Sequence, residues 1–159
     1  RDLSVIIIDS NNQPIGTQSG SITYNARQGN FTTELNLGPS FPTGNYSIKI
    51  KSDRYLQKQA AGIINIKNLQ QNTAPQTALV AGDIKNDNTI NVLDYNILLD
   101  CGYGALKPLP VADPNSLFNS QYCKSHEPYR PNVDLDDNGT VNSPDYNLFL
   151  RELSVQNGD

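Results

Sequence analysis

The sequence predicts two domains, a β-sandwich followed by a small α-helical domain. The first half contains short runs of alternating apolar and polar residues, and the second half contains two copies of one sequence repeat. A polar stretch with one proline lies between the halves. The predicted bounds are residues 1–70 for the sandwich, 71–78 for the linker and 79–159 for the helical domain, in which residues 102–132 form an insert.

The prediction of a sandwich comes from five short runs in the first half. Phe31–Leu37 and Tyr46–Lys51 alternate between apolar and polar side chains, as half-buried strands do. Leu3–Ile8, Ser21–Tyr24 and Ile63–Ile66 are further runs rich in strand-forming residues. Clusters of Asn, Pro, Gly and Ser separate these runs, and strands of this length and spacing favour a β-sandwich.

The second half repeats one segment of seventeen residues. Asp83–Leu99 reads DIKNDNTINVLDYNILL and Asp134–Leu150 reads DLDDNGTVNSPDYNLFL, an offset of 134 − 83 = 51 residues. Oxygen-bearing side chains recur at alternate positions, and an Asp closes each run at its twelfth residue. Ca²⁺ takes about 6–8 oxygen ligands from a tightly turned loop of this pattern. The sequence therefore predicts two calcium-binding loops, each running into a helix.

The expected ligands occupy loop positions one, three, five, seven, nine and twelve. They are Asp83, Asp87, Thr89, Asn91 and Asp94 in the first loop, and Asp134, Asp136, Asn138, Thr140, Asn142 and Asp145 in the second. Lys85 stands at the third position of the first loop, where it removes one oxygen and adds a positive charge. The second site is therefore expected to be the stronger one. The alternative is that Asp-Asn-Gly clusters form ordinary solvated turns, which is harder to reconcile with two matching copies.

No helix is expected before either loop, since residues 79–82 and 129–133 look extended and Pro131 disfavours a helix interior. A calcium loop followed by one helix, in two copies, is similar to the duplicated F-hand of the dockerin family. The resemblance covers roughly residues 79–154, about half of the chain. It implies a small helical module that needs Ca²⁺ to fold and binds a cohesin domain on a partner protein.

The dockerin resemblance also implies an interface. In that family the tenth and eleventh loop residues and the exposed helix face contact the cohesin. The matching positions here are Val92, Leu93, Asn96 and Asp100 in the first copy, and Ser143, Asn147 and Arg151 in the second. Because the two copies differ chemically, a single binding orientation is expected, centred on the residues of the first copy, with those of the second copy as the alternative interface. Burial of Val92 and Leu93 against the insert is an equally fair interpretation.

The two cysteines, Cys101 and Cys123, lie 123 − 101 = 22 residues apart. A disulfide between them would close the insert upon the first helix, and calcium sites of this kind point to an oxidising, extracellular setting. Free thiols are the alternative for a cytosolic chain. The lone His126 with two cysteines lacks a fourth zinc ligand, so zinc is not expected.

The first half resembles the carboxypeptidase-regulatory-like and other Ig-like modules of secreted proteins. The residues that carry this resemblance are Phe31, Gly44, Tyr46, Ile48 and Ile50. A sandwich directly before a dockerin is similar to the X-module–dockerin arrangement. These resemblances imply a fold and an architecture, and no activity.

Composition narrows the function classes further. The net charge is −4 without a basic stripe, and no apolar run approaches the ~20 residues of a membrane span, so neither nucleic acid nor membrane is expected. No catalytic set involving the single histidine can form in the first half, so no enzyme is expected. The chain starts at Arg1 without a signal peptide, as a monomeric fragment of a longer secreted or cell-surface protein would.

The predicted function is therefore a non-catalytic, calcium-dependent anchoring module for a cohesin-like domain. The first alternative is a calcium-stabilised cap of a surface protein with no partner in trans. The second is carbohydrate binding by the sandwich through Tyr24, Tyr46 or Tyr55, although tyrosines at alternating strand positions more often belong to the core.

Overall fold

The computed structural model describes residues 1–99 and 127–159. The predicted Cys101–Cys123 disulfide, Asp100, His126 and residues 102–126 of the insert lie outside the described residues. The chain divides into two compact units. One comprises Arg1–Asp53, Gln57–Leu79 and Asp159, and the other comprises Arg54–Leu56 and Val80–Gly158.

The first unit is built on one antiparallel sheet and a small hairpin. Its strands are β1 (Asp2–Ile8), β2 (Pro14–Ser21), β3 (Thr23–Asn25), β4 (Asn30–Thr32), β5 (Gly44–Ser52), β7 (Lys58–Gln59) and β8 (Ile64–Ile66). The sheet order is β2-β1-β5-β7, with β8 pairing the other end of β5, and β3 and β4 form the hairpin. In the central pair, Val5 lies opposite Ile50 and Ile7 opposite Ile48.

The core of the first unit lies on one face of this sheet. Successive strand residues point to opposite faces, so Val5 and Ile7 of β1 face the same side as Tyr46 and Ile48 of β5. The buried set is Val5, Ile7, Tyr46, Ile48, Ala60 and Ile66. Leu35, Leu37 and Phe41, from the irregular segment after β4, pack against it.

The second unit contains a two-stranded sheet and the helices. β6 (Arg54–Tyr55) pairs antiparallel with β9 (Ala81–Asp83), and the Leu56 amide donates to the Val80 carbonyl at 2.8 Å. The helices are α1 (Val92–Ile97), a 3₁₀ helix (Glu127–Val133) and α2 (Ser143–Glu152). The extended backbone expected over residues 129–133 is therefore wrong, since a 3₁₀ helix that contains Pro131 leads into the second loop.

The second unit has its own hydrophobic core. Its buried members are Leu56, Ile84, Ile90, Ile97, Leu98, Val133, Leu135 and Phe149. Ile84 and Ile90 flank the turn of the first loop, and Leu135 lies in the second. The loops are therefore fixed to the unit by apolar side chains at their ends as well as by polar bonds.

The predicted fold class is wrong. The described residues are mostly β with only two short helices, and they do not form a β-sandwich followed by a helical dockerin-like domain of two loop–helix motifs. The expected strand Phe31–Leu37 ends at Thr32, because Leu35 and Leu37 reach the core from irregular backbone. β2 was not predicted, since its sequence PIGTQSGS is polar and rich in small residues. Within the described residues, no helix is long and apolar enough to cross a membrane.

Candidate metal centre

Both loops turn at the same two positions. The fourth residue has a φ of 59° in each loop, at Asn86 and at Asp137. The sixth residue has a φ of 65° at Asn88 and 84° at Gly139. Asn, Asp and Gly are the residues that adopt this left-handed conformation most readily. The first loop therefore makes its turn without the expected glycine.

The first carboxylate of each loop binds the backbone of the turn. Asp134 accepts the amides of Asn138 and Gly139, one on each oxygen, at 3.2 and 3.0 Å. Asp83 accepts the two equivalent amides of the first loop at 2.9 and 3.0 Å. Thr140 in turn donates its amide and hydroxyl to Asn138 Oδ1 at 2.9 and 2.6 Å. The oxygens that would ligate a cation are thus oriented by the loop itself.

The closing carboxylate of the second loop is completely buried. Asp145 Oδ1 accepts the amides of Leu135 and Asp136 at 2.6 and 3.2 Å, and its Oδ2 accepts the Asn142 amide at 2.8 Å. Asn142 is the N-cap of α2 and Asp145 the third residue of that helix. One side chain therefore both caps the helix and closes the loop.

The first loop closes in the same way on a buried Asp94, which accepts the amides of Lys85 and Asn91 at 3.0 and 2.9 Å. Burial raises the pKa of Asp94 above its ordinary value, because the charged carboxylate loses its water. The amides of Lys85 and Asn91 oppose this rise without cancelling it. A cation beside Asp94 would stabilise its ionised form.

Three carboxylates of the second loop could hold a metal ion. Oxygens of Asp134, Asp136 and Asp145 lie within 4.8 Å of one another, and in the described parts of the chain this is the one such group of three. Asp145 is buried, Asp134 half-buried and Asp136 exposed, so the group opens toward solvent on one side. Carboxylate oxygens with amide and hydroxyl oxygens beside them suit a hard divalent cation.

The first loop holds an ammonium group where the second has a carboxylate. Lys85 Nζ lies 3.2 Å from Asp87 Oδ2, and this hydrogen bond raises the pKa of Lys85. Burial tends to raise the pKa of Asp87, but hydrogen bonds from Thr89 and Lys85 outweigh it and hold that pKa below its ordinary value. A metal ion in the first loop would have to compete with Lys85 for Asp87.

The residues expected at a partner interface differ in exposure. Val92 is 65% exposed and Leu93 is 42% exposed. Ser143, Asn147 and Arg151 on α2 are exposed, Asn96 on α1 is half-buried, and Asp100 lies outside the described residues. Arg151 also binds the neighbouring Glu152 at 2.7 Å.

One residue of the site has no counterpart in the sequence-based prediction. The Arg54 guanidinium donates to the Asp134 carbonyl and, at 2.9 Å, to Asp137 Oδ1. Arg54 was assigned to the sandwich, and no local pattern signals a contact with a loop about eighty residues further along the chain.

The chain matches no protein-family model, no curated protein and no solved structure.

Proposed function

We propose that this chain is a non-catalytic, calcium-dependent module that anchors a secreted or cell-surface protein to a cohesin-like domain of a partner. The observation that carries the proposal is the carboxylate group of Asp134, Asp136 and Asp145, closed by a buried Asp145 that also caps α2. Occupation of this group would tie the loop and the helix together.

We propose calcium as the ion that these ligands hold. The expected second-loop ligands are all oxygen atoms, from carboxylates, amides and the Thr140 backbone carbonyl, and such donors suit Ca²⁺ better than softer metals. The first loop has the same backbone turn but one carboxylate fewer at its third position, where Lys85 stands. We therefore propose two calcium sites, of which the second is the stronger.

The anchoring role draws support from apolar side chains beside the loops. Val92 and Leu93 are the first two residues of α1, and both are exposed. At the end of α2, Leu150 and the C-cap residue Leu153 are three residues apart, and they are 43% and 37% exposed. Exposed apolar groups rimmed by polar residues are typical of protein-binding surfaces.

The test is capture of the full chain by a panel of cohesin domains in Ca²⁺ and in EDTA. We expect capture in Ca²⁺ by at least one cohesin, and loss of capture in EDTA. Asp145→Ala should lose capture, whereas Glu34→Gln, which removes one carboxylate from the first unit, should keep it. Calcium binding without capture by any cohesin would favour a stabilised cap with no partner in trans.

A second candidate function is carbohydrate binding by the first unit. Tyr24 and Phe31, paired across the β3–β4 hairpin, are 58% and 50% exposed, with ring centroids 5.3 Å apart. Exposed aromatic rings present flat faces of the kind that pack on sugars. Tyr46 offers no such surface, because it is buried and donates its hydroxyl to the Pro42 carbonyl at 3.0 Å.

This candidate is tested on a glycan array in EDTA, where a role of the calcium loops is removed. Retention of a glycan that Tyr24→Ala abolishes and Tyr55→Phe preserves would support it. Equal retention by Tyr24→Ala and the native chain would exclude the hairpin as the binding surface.

A further inference from the structure

Arg54 lies at the meeting point of the two loops of the second unit. It pairs with Asp83, the first residue of the first loop, across the β6–β9 ladder. Its side chain is only 13% exposed, which is low for an arginine. Its φ of 64° is in the left-handed region, where a residue with a long side chain stays only if its surroundings hold it there.

Arg54 contacts equivalent residues of the two loops. Its backbone amide donates to Asn86 Oδ1 at 2.7 Å, and its guanidinium donates to Asp137 Oδ1 at 2.9 Å. Asn86 and Asp137 are both fourth in their loops, 137 − 86 = 51 residues apart, and both have a φ of 59°. The fourth position is not among the expected metal ligands, so these contacts leave the ligand set untouched.

The charge of the second loop explains why a fixed cation is useful there. Asp134, Asp136, Asp137 and Asp145 give the loop four carboxylates, which repel one another when no metal is bound. The Arg54 guanidinium compensates Asp137 and also holds the carbonyl of Asp134, the residue that opens the loop. The same positive charge opposes a divalent cation arriving at the neighbouring carboxylates.

We propose that Arg54 is a built-in counter-cation of the second loop, which stabilises the metal-free loop and weakens metal binding in it. The inference rests on the proposed calcium site. It assigns Arg54 a positioning role, because its partners are the Asp134 carbonyl and a carboxylate outside the ligand set. It also predicts that metal affinity and metal-free stability change in opposite directions when the guanidinium is removed.

The experiment compares the native full chain with Arg54→Gln, Arg54→Lys and the charge-matched control Arg27→Gln, an exposed arginine of the first unit. Calcium affinity is measured by calorimetry, and melting temperature is measured in EDTA. Arg54→Gln should melt lower in EDTA yet bind calcium in the second loop on the order of fivefold more tightly. Arg54→Lys, which keeps the charge, should stay within about twofold of native affinity, and Arg27→Gln should change neither quantity.

Asp137→Asn removes the carboxylate of the Arg54–Asp137 ion pair and leaves Arg54 unchanged. Alone it should weaken calcium binding, and combined with Arg54→Gln it should return the affinity to near the native value, because the net charge beside the site is restored. Calcium binding that Arg54→Gln weakens or leaves unchanged overturns the role of Arg54. A native chain that binds no calcium overturns the proposed function instead.

Discussion

Tyr95 and Tyr146 are equivalent residues of the two repeats, and they contact each other. Their ring centroids lie 6.4 Å apart with an interplanar angle of 47°, and the side chains share a hydrogen bond. In keeping with this, α2 packs on β9, which leads into the first loop, and α1 packs on the 3₁₀ helix that leads into the second. Each helix therefore packs on the segment that leads into the other loop.

The tyrosine pair predicts a shift in titration. The hydrogen bond with Tyr146 raises the pKa of Tyr95, so the folded chain favours neutral Tyr95. The stability that results is present below about pH 10, the ordinary tyrosine pKa, and is lost as pH rises through the raised folded value. Tyr146→Phe should lower the Tyr95 pKa, so that this loss of stability at high pH disappears. Tyrosinate absorbance follows the titration. A Tyr95 pKa that stays raised in Tyr146→Phe would contradict it.

Removal of calcium should destabilise the second unit. Binding to the folded chain alone adds about 2.7 kcal/mol per site at a calcium concentration 100-fold above the dissociation constant. EDTA should therefore lower the melting temperature and the helical circular dichroism. The β signal of the first unit should be retained, because its core of Val5, Ile7 and Ile48 includes no loop residue. Identical melting curves in Ca²⁺ and EDTA would exclude a stabilising ion.

The two closing carboxylates should be unequal. Asp145 accepts three backbone amides and belongs to the three-carboxylate group, whereas Asp94 accepts two. Asp145→Ala should lower the free energy of unfolding in Ca²⁺ by about 3 kcal/mol or more, and Asp94→Ala should lower it less. Chemical denaturation of both variants in EDTA separates the lost hydrogen bonds from the lost ion. Equal losses in Ca²⁺ would refute the ranking.

Lys85→Asp should strengthen the first site. The change removes the ammonium from Asp87 and supplies a carboxylate at the third loop position, where the second loop has Asp136. We expect calorimetry to show a second calcium ion bound with an affinity nearer that of the second loop. Lys85→Gln is the control, since it removes the charge without adding a carboxylate, and its gain should be smaller.

The exposed start of α1 should bind the partner. Val92→Asp with Leu93→Asp should lower cohesin affinity by at least roughly tenfold, because charged groups replace apolar contacts, while the calcium affinity of the second loop remains native. The matched control is Ile63→Asp, a 75% exposed apolar residue of the first unit. A native cohesin affinity in the double variant would contradict an interface at the start of α1.

The sequence predicted a metal site in the second loop, and Asp134, Asp136 and Asp145 do lie close enough to hold an ion. Local spacing is sufficient for this, because alternate polar residues of a tight turn fold back on the same centre. Spacing says nothing about residues distant in sequence. No sequence pattern therefore indicated that Arg54 contacts the second loop or that Leu56 is buried in the core of the second unit.

The fold prediction was wrong where tertiary packing overrides the local pattern of apolar and polar residues. Phe31–Leu37 alternates as a strand does, yet only its first two residues join a ladder, and Leu35 and Leu37 fill the core from irregular backbone. Pro14–Ser21 shows little apolar periodicity, yet it pairs along the whole of β1. Hydrogen bonds to a neighbouring strand can stabilise a strand whose own side chains are mostly exposed.

Arg54–Leu56 makes the second unit discontinuous in sequence, and this matters for protein engineering. A fragment cloned from residue 79 onward would lack the β6 partner of β9, the buried Leu56 and the guanidinium on the second loop. Such a fragment should therefore be less stable than the same residues in the intact chain. The two loops therefore cannot be separated from the first half of the chain at the linker without loss of these contacts.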